Sequence, residues 1–170
     1  MPTALHILAK TPPWAFLILS YLVWQGLESL RARTQPFWRV LLVPAVFIAF
    51  GVSRIIVSGS PHLGALLPWT IGFVVWAPVA FATGPRLLAV DRSNGLVTRP
   101  GSLVPLIRNV GVFTLQYAVA IMAGGKMAGS ASANLVAHGV AGCTAGYFAG
   151  WVIVAIRHYL RAPARPRPAS

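Results

Sequence analysis

Apolar runs of roughly 20 residues, the length a helix needs to cross bilayer hydrocarbon, recur along the chain, each closed by a turn signal or an arginine. Five helices are predicted, at about 13–30, 37–57, 63–83, 103–123 and 132–156. Thr11 is placed to cap the first, with Pro12 and Pro13 in the opening turn, where a missing N–H costs little. Arg31-Ala32-Arg33-Thr34-Gln35-Pro36 reads as a short basic turn. Pro44 predicts a kink in the second helix, and Pro68 and Pro78 predict bends in the third. Ser58-Gly59-Ser60-Pro61, Gly84-Pro85-Arg86 and Gly124-Gly125-Lys126 end the second, third and fourth.

One stretch breaks the pattern. Residues 87–99 alternate weakly around Asn94-Gly95, two residue types that tolerate the positive φ of tight turns. They predict a short β-hairpin on the membrane surface. Asp91 has two possible roles there: capping the turn, or pairing with Arg86, Arg92 or Arg99. The fold class is an all-α membrane protein, a five-helix bundle with this hairpin between helices three and four. Residues 1–160 form a single transmembrane domain, and 161–170 a basic, Pro/Arg-rich disordered tail.

Composition strengthens the membrane reading. The chain is 56% hydrophobic and 9% charged, whereas soluble domains carry about 25% charged residues. So few charges cannot cover a core in water. The formal charge is +12, from 14 basic residues against 2 acids. A nucleic-acid partner is not indicated, because the arginines fall between apolar runs at intervals set by the spans. Arg31, Arg33, Arg39, Arg86, Arg92, Arg99, Arg108, Arg157, Arg161, Arg165 and Arg167 lie on one set of connecting segments, and Lys10 and Lys126 on the other. Cytoplasmic loops carry the excess of Lys and Arg, so the expected orientation is N-terminus out and C-terminus in. Arg31, Arg33, Arg86, Arg99, Arg157 and Arg161 are expected to contact anionic lipid headgroups. Lys10 is the only early Lys or Arg, and no small-residue cleavage site follows it, so the first helix is read as retained.

Candidate chemistry is sparse. Arg54 is the charge inside a span, placed either to snorkel to the outer headgroups or to serve a site. His138 lies about 9 Å along helix five. Gln116, Tyr117 and Thr70 fall at comparable depth, with His62 in the outer turn. Together with Arg54 they make a polar layer open to the outer side, or else separate interhelical hydrogen bonds worth roughly 0.6 kcal/mol each. Gly139, Gly142, Gly146 and Gly150 make a small-residue face on helix five. It serves packing within the monomer or a seam with a second copy or another membrane protein.

Glu28 and Asp91 both sit at the cytoplasmic edge, which argues against carboxylate-driven transport. No paired carboxylates, HExxH or GxSxG are present, so no enzyme activity, metal or cofactor is expected. Cys143, the single cysteine, leaves no intramolecular disulfide. The functional expectation is a non-enzymatic structural or interaction component. The alternative is a small transporter or channel subunit using the outer polar layer.

The opening Thr11-Pro12-Pro13-Trp14, the hairpin residues Asp91, Asn94, Gly95, Leu96 and Val97, and Pro100-Gly101-Ser102-Leu103-Val104-Pro105 carry a resemblance. The chain resembles an uncharacterised group of small proteobacterial inner-membrane proteins, a domain of unknown function. In general architecture it is more distantly similar to CcdC-like membrane proteins, associated with cytochrome c maturation. The lone Cys143 departs from any dithiol relay. The resemblance implies a bacterial inner-membrane location and no particular activity.

Overall fold

The computed structural model describes residues 11–57, 63–124 and 130–162. The turn at 58–61, His62, Lys10, Gly125-Lys126 and the tail beyond Ala162 lie outside the described residues.

In chain order the elements are α1 (Pro13–Glu28), β1 (Arg33–Pro36), α2 (Phe37–Val57), α3 (Leu63–Trp76), α4 (Val79–Thr83), β2 (Ala89–Asp91), β3 (Leu96–Arg99), α5 (Val104–Gly124) and α6 (Ala131–Arg161). Among the described residues, four helical segments are long and apolar enough to cross a membrane: α2, α3 with α4, α5, and α6. The chain is a membrane-embedded, multi-pass helical protein. α1 has 16 residues, a rise of about 24 Å against roughly 30 Å of hydrocarbon. It is apolar but shorter than the other four segments. The helix exteriors are apolar too, with Leu17, Ile56, Leu63 and Ile107 all turned outward.

Two expectations about helix ends are corrected. Thr11 does not cap α1; Pro12 holds the N-cap position without a side-chain bond, and the Thr11 hydroxyl meets Tyr117 instead. The third helix is not continuous. Pro78 has no N–H to offer the preceding turn, so α3 stops at Trp76 and α4 begins at Val79.

α6 is the hub. α2, α3, α4 and α5 all pack against it, while α1 packs mainly on α5. α3 makes the most intimate contact, along the glycine face. A Cβ on Gly142, Gly146 or Gly150 would fall well inside van der Waals distance of the Trp69, Phe73 or Ala77 carbonyl, respectively. Gly139 meets only the Pro68 carbonyl, at an ordinary 3.9 Å. The small-residue face is thus filled by the chain's own α3. Trp69 Nε1 donates to the Gly51 carbonyl at 2.9 Å and ties α3 to α2.

The hairpin is one part of a larger sheet. Residues 33–36, expected as a turn, form β1 and pair antiparallel with β3, giving the order β1-β3-β2. Gln35, Val97 and Val90 align across it, and all three are buried. Val90 and Val97 pack with Val40, Ala80, Trp151 and Ala155, so the sheet closes one end of the bundle. The turn is built as the sequence predicts. Asp91 Oδ1 accepts from the Ser93 and Asn94 backbone N–H groups at 3.1 and 3.3 Å, and Gly95 alone among the described residues takes positive φ, at 65°.

Candidate functional site: an arginine-lined groove

Every arginine-bearing connection in the described residues meets the sheet-capped end. Arg33 faces Arg99 across β1 and β3. Arg92 donates to the Tyr159 carbonyl at 3.1 Å and also to that of Leu160, pinning the hairpin to the end of α6. His158 Nδ1 contacts the Pro85 carbonyl at 3.0 Å.

The arginines expected at headgroups are not equivalent. Arg31, Arg86, Arg157 and Arg161 are exposed, and the Arg157 guanidinium lies 5.7 Å from the Phe81 ring centroid. Arg33 is engaged by Glu28. Arg99 turns inward, because it shares the sheet face of Val97, and its guanidinium sits 5.8 Å from the centroid of Trp151. Arg108, one turn into α5, lies 4.9 Å from the same indole and 5.1 Å from Phe148. Two guanidinium groups thus share one indole that is only 2% exposed. Arg108 Nε donates to Asn109 Oδ1 at 3.0 Å, and Tyr147 lines the same cavity as Arg108. The Tyr147 hydroxyl in turn meets Thr83 Oγ1 at 3.0 Å.

No carboxylate balances this pair among the described residues. Glu28 is used by Arg33, and Asp91 by its own turn. Burial first, then the charges of Arg108 and Arg33, push Arg99 down to about 10.

Two cavities meet at Arg108. One, of about 450 Å³, is lined by polar and basic groups including Thr83, Arg86, Arg99, Ser102 and Arg108. The other, of about 360 Å³, is apolar apart from Arg108 and the Tyr147 and Thr144 hydroxyls. Trp76, Gly111, Val112, Leu115, Val140 and Phe148 line it. It exists because α3 and α5 both lean on α6 and scarcely touch each other.

The expected polar layer is only partly assembled. Arg54, Gln116 and Tyr117 line a third cavity, of about 360 Å³, with Phe47, Phe50 and Phe113. His138 and Thr70 do not line it. Thr70 is exposed on α3, and His138 Nδ1 contacts the Asn134 carbonyl of its own helix at 2.7 Å. Their helical phase turns them away from the α1–α2–α5 space, which depth along a helix does not report. Gln116 Nε2 donates to Thr144 Oγ1 at 3.0 Å and Thr144 to the Val140 carbonyl at 2.9 Å, stitching α5 to α6 between the two membrane-level cavities.

Sequence reasoning missed the inward turn of Arg99 and the buried setting of Arg108. The available signal was Phe148 and Trp151, aromatic residues three apart on one helix face at the arginine-rich end of helix five. No protein-family model, curated protein or solved structure matches the chain.

Proposed function

We propose that this chain is a non-enzymatic structural or interaction component of a bacterial inner membrane, held N-terminus out and C-terminus in. The observation that carries this reading is the union of the arginine-bearing connections under one three-stranded sheet. A basic, sheet-capped end suits the anionic cytoplasmic leaflet, where each nearby base contributes about 1 kcal/mol. The other end has no comparable cluster in the sequence. The α3-filled glycine face favours packing within the monomer over a seam with a second copy at the same residues.

Single-cysteine labelling tests the orientation. In a Cys143→Ala background, Ser132→Cys at the start of α6 should react with a membrane-impermeant maleimide in intact cells. Ser93→Cys in the hairpin turn should react only after permeabilisation. Labelling of Ser93→Cys from outside would overturn the proposal.

The cavity around Arg54, Gln116 and Tyr117 favours a second reading, a small transporter or channel subunit. Against a path through the monomer stands the cluster of Leu22, Val43, Phe47 and Phe148, buried between this cavity and the basic end.

A further inference from the structure

We propose that the groove between α3, α5 and α6 is a binding site for one anionic phospholipid, its phosphate on Arg86, Arg99 and Arg108 and one acyl chain along the apolar trough. The function proposed above enters only in placing that lipid in the cytoplasmic leaflet.

Charge complementarity selects the headgroup. Arg99 and Arg108 are drawn together over Trp151 with no acid beside them, and Arg86 lines the same 450 Å³ space. Like charges held in a poorly solvated place destabilise a fold unless an anion joins them. A phosphate accepts several guanidinium hydrogen bonds at once. The first turn of α5 opens on the same space through Val104 and Pro105, adding the positive end of its dipole. Ser102, whose Oγ accepts from the Val104 N–H, keeps its hydroxyl hydrogen for a further headgroup oxygen.

Geometry selects the chain. The apolar trough begins at Arg108 and continues past Gly111 to Leu115. The seven helical steps from Arg108 to Leu115 correspond to about 10 Å, running from headgroup level into hydrocarbon. A free anion has no use for this trough, and a zwitterionic lipid brings a cationic amine beside its phosphate into an already positive site. An amphiphile with one negative head uses both. Gly111 matters here for what it leaves open, since a Cβ at that position meets nothing within 4 Å.

The full chain, purified in a neutral detergent, is titrated with dioleoyl phosphatidylglycerol, dioleoyl phosphatidylcholine, or inorganic phosphate. Lipid adducts are counted by native mass spectrometry, and thermal stability is followed in parallel. Phosphatidylglycerol should give one tightly held adduct and raise the melting temperature, whereas phosphatidylcholine and phosphate should do neither at equal concentration. Arg99→Gln removes a charge-assisted contact and should weaken adduct formation about tenfold or more. Gly111→Leu should block the trough to a similar extent. It sits in open space on a helix and leaves every arginine in place, so its fold is expected to be intact.

Arg31→Gln removes a charge from the same end but outside the groove, and should change little. Equal losses in Arg31→Gln and Arg99→Gln would mean diffuse attraction and overturn the site. Unchanged binding by Gly111→Leu, or equal stabilisation by inorganic phosphate, would remove the acyl chain from it and overturn the proposal as well. Binding in detergent does not depend on orientation, so a reversed topology in the labelling experiment would leave this result standing.

Discussion

Asp91 shows how much one side chain can organise. Its carboxylate takes the Ser93 hydroxyl at 2.5 Å, the Asn94 side-chain amide at 2.8 Å and two backbone N–H groups. Hydrogen bonds from the Ser93 and Asn94 side chains, helped by the backbone, hold it below the ordinary carboxylate range. A depressed pKa means the folded state prefers the ionised form. Its contribution is therefore complete above the unfolded Asp value of about 3.9 and fades as pH falls through the lower folded value. Asp91→Ala should reduce the hydrogen-exchange protection of the Ser93 and Asn94 amides several-fold at neutral pH. The wild-type chain should lose that protection only at strongly acid pH. Equal protection in both proteins would show that the carboxylate does not hold the turn. The capping role was legible because Asp, Asn and Gly are close in sequence, and turn chemistry is local. The setting of Arg108 was not, since its aromatic partners Phe148 and Trp151 lie on another helix about 40 residues on and nothing local fixes helix phase against a neighbour.

Among the elements, the α3–α6 contact depends most on the absence of side chains. Gly146 faces the Phe73 backbone so closely that any Cβ there must force the helices apart. Gly146→Leu should cost about 1–3 kcal/mol or more, read as a lower unfolding midpoint in detergent. Gly64→Leu, where a Cβ meets nothing within 4 Å, should be close to neutral. Comparable loss in both would point to a general intolerance of bulk rather than to this seam. The glycine row was legible in the sequence as a face, because residues four apart align on a helix. Its partner was not, because α3 and a second copy of α6 make the same demand for small residues. Pro78 was legible as a bend, and the structure places a turn there: Pro78 keeps helical φ and ψ, at −63° and −31°, while the α-helix is interrupted between Trp76 and Val79.

At the level of the molecule, β1 turns a surface hairpin into a clasp between distant connections. Thr34 and Thr98 are cross-strand partners with hydroxyl oxygens 2.8 Å apart. The pair Thr34→Cys and Thr98→Cys, in a Cys143→Ala background, should cross-link under mild oxidant in membranes and alter migration on a non-reducing gel. Thr34→Cys with Ser93→Cys should not. Absence of the first cross-link would refute the three-stranded sheet. Hydropathy and arginine spacing made the apolar segments and their common end legible, because both signals are averages over many residues. β1 left no such trace, being four residues whose partners in β3 lie 60 to 66 residues away. The central position of α6 bears on how the molecule is made. Translation proceeds from the N-terminus, so α1 to α5 emerge from the ribosome before the helix on which α2, α3, α4 and α5 assemble. The α1–α5 contact, the Trp69 bond to α2 and the three-stranded sheet need nothing from α6, but the faces that α2, α3 and α4 turn toward it have no partner until it is made. The bundle is complete only once α6 is present, so a nascent chain stalled before Ala131 should be digested by protease more readily than the full chain.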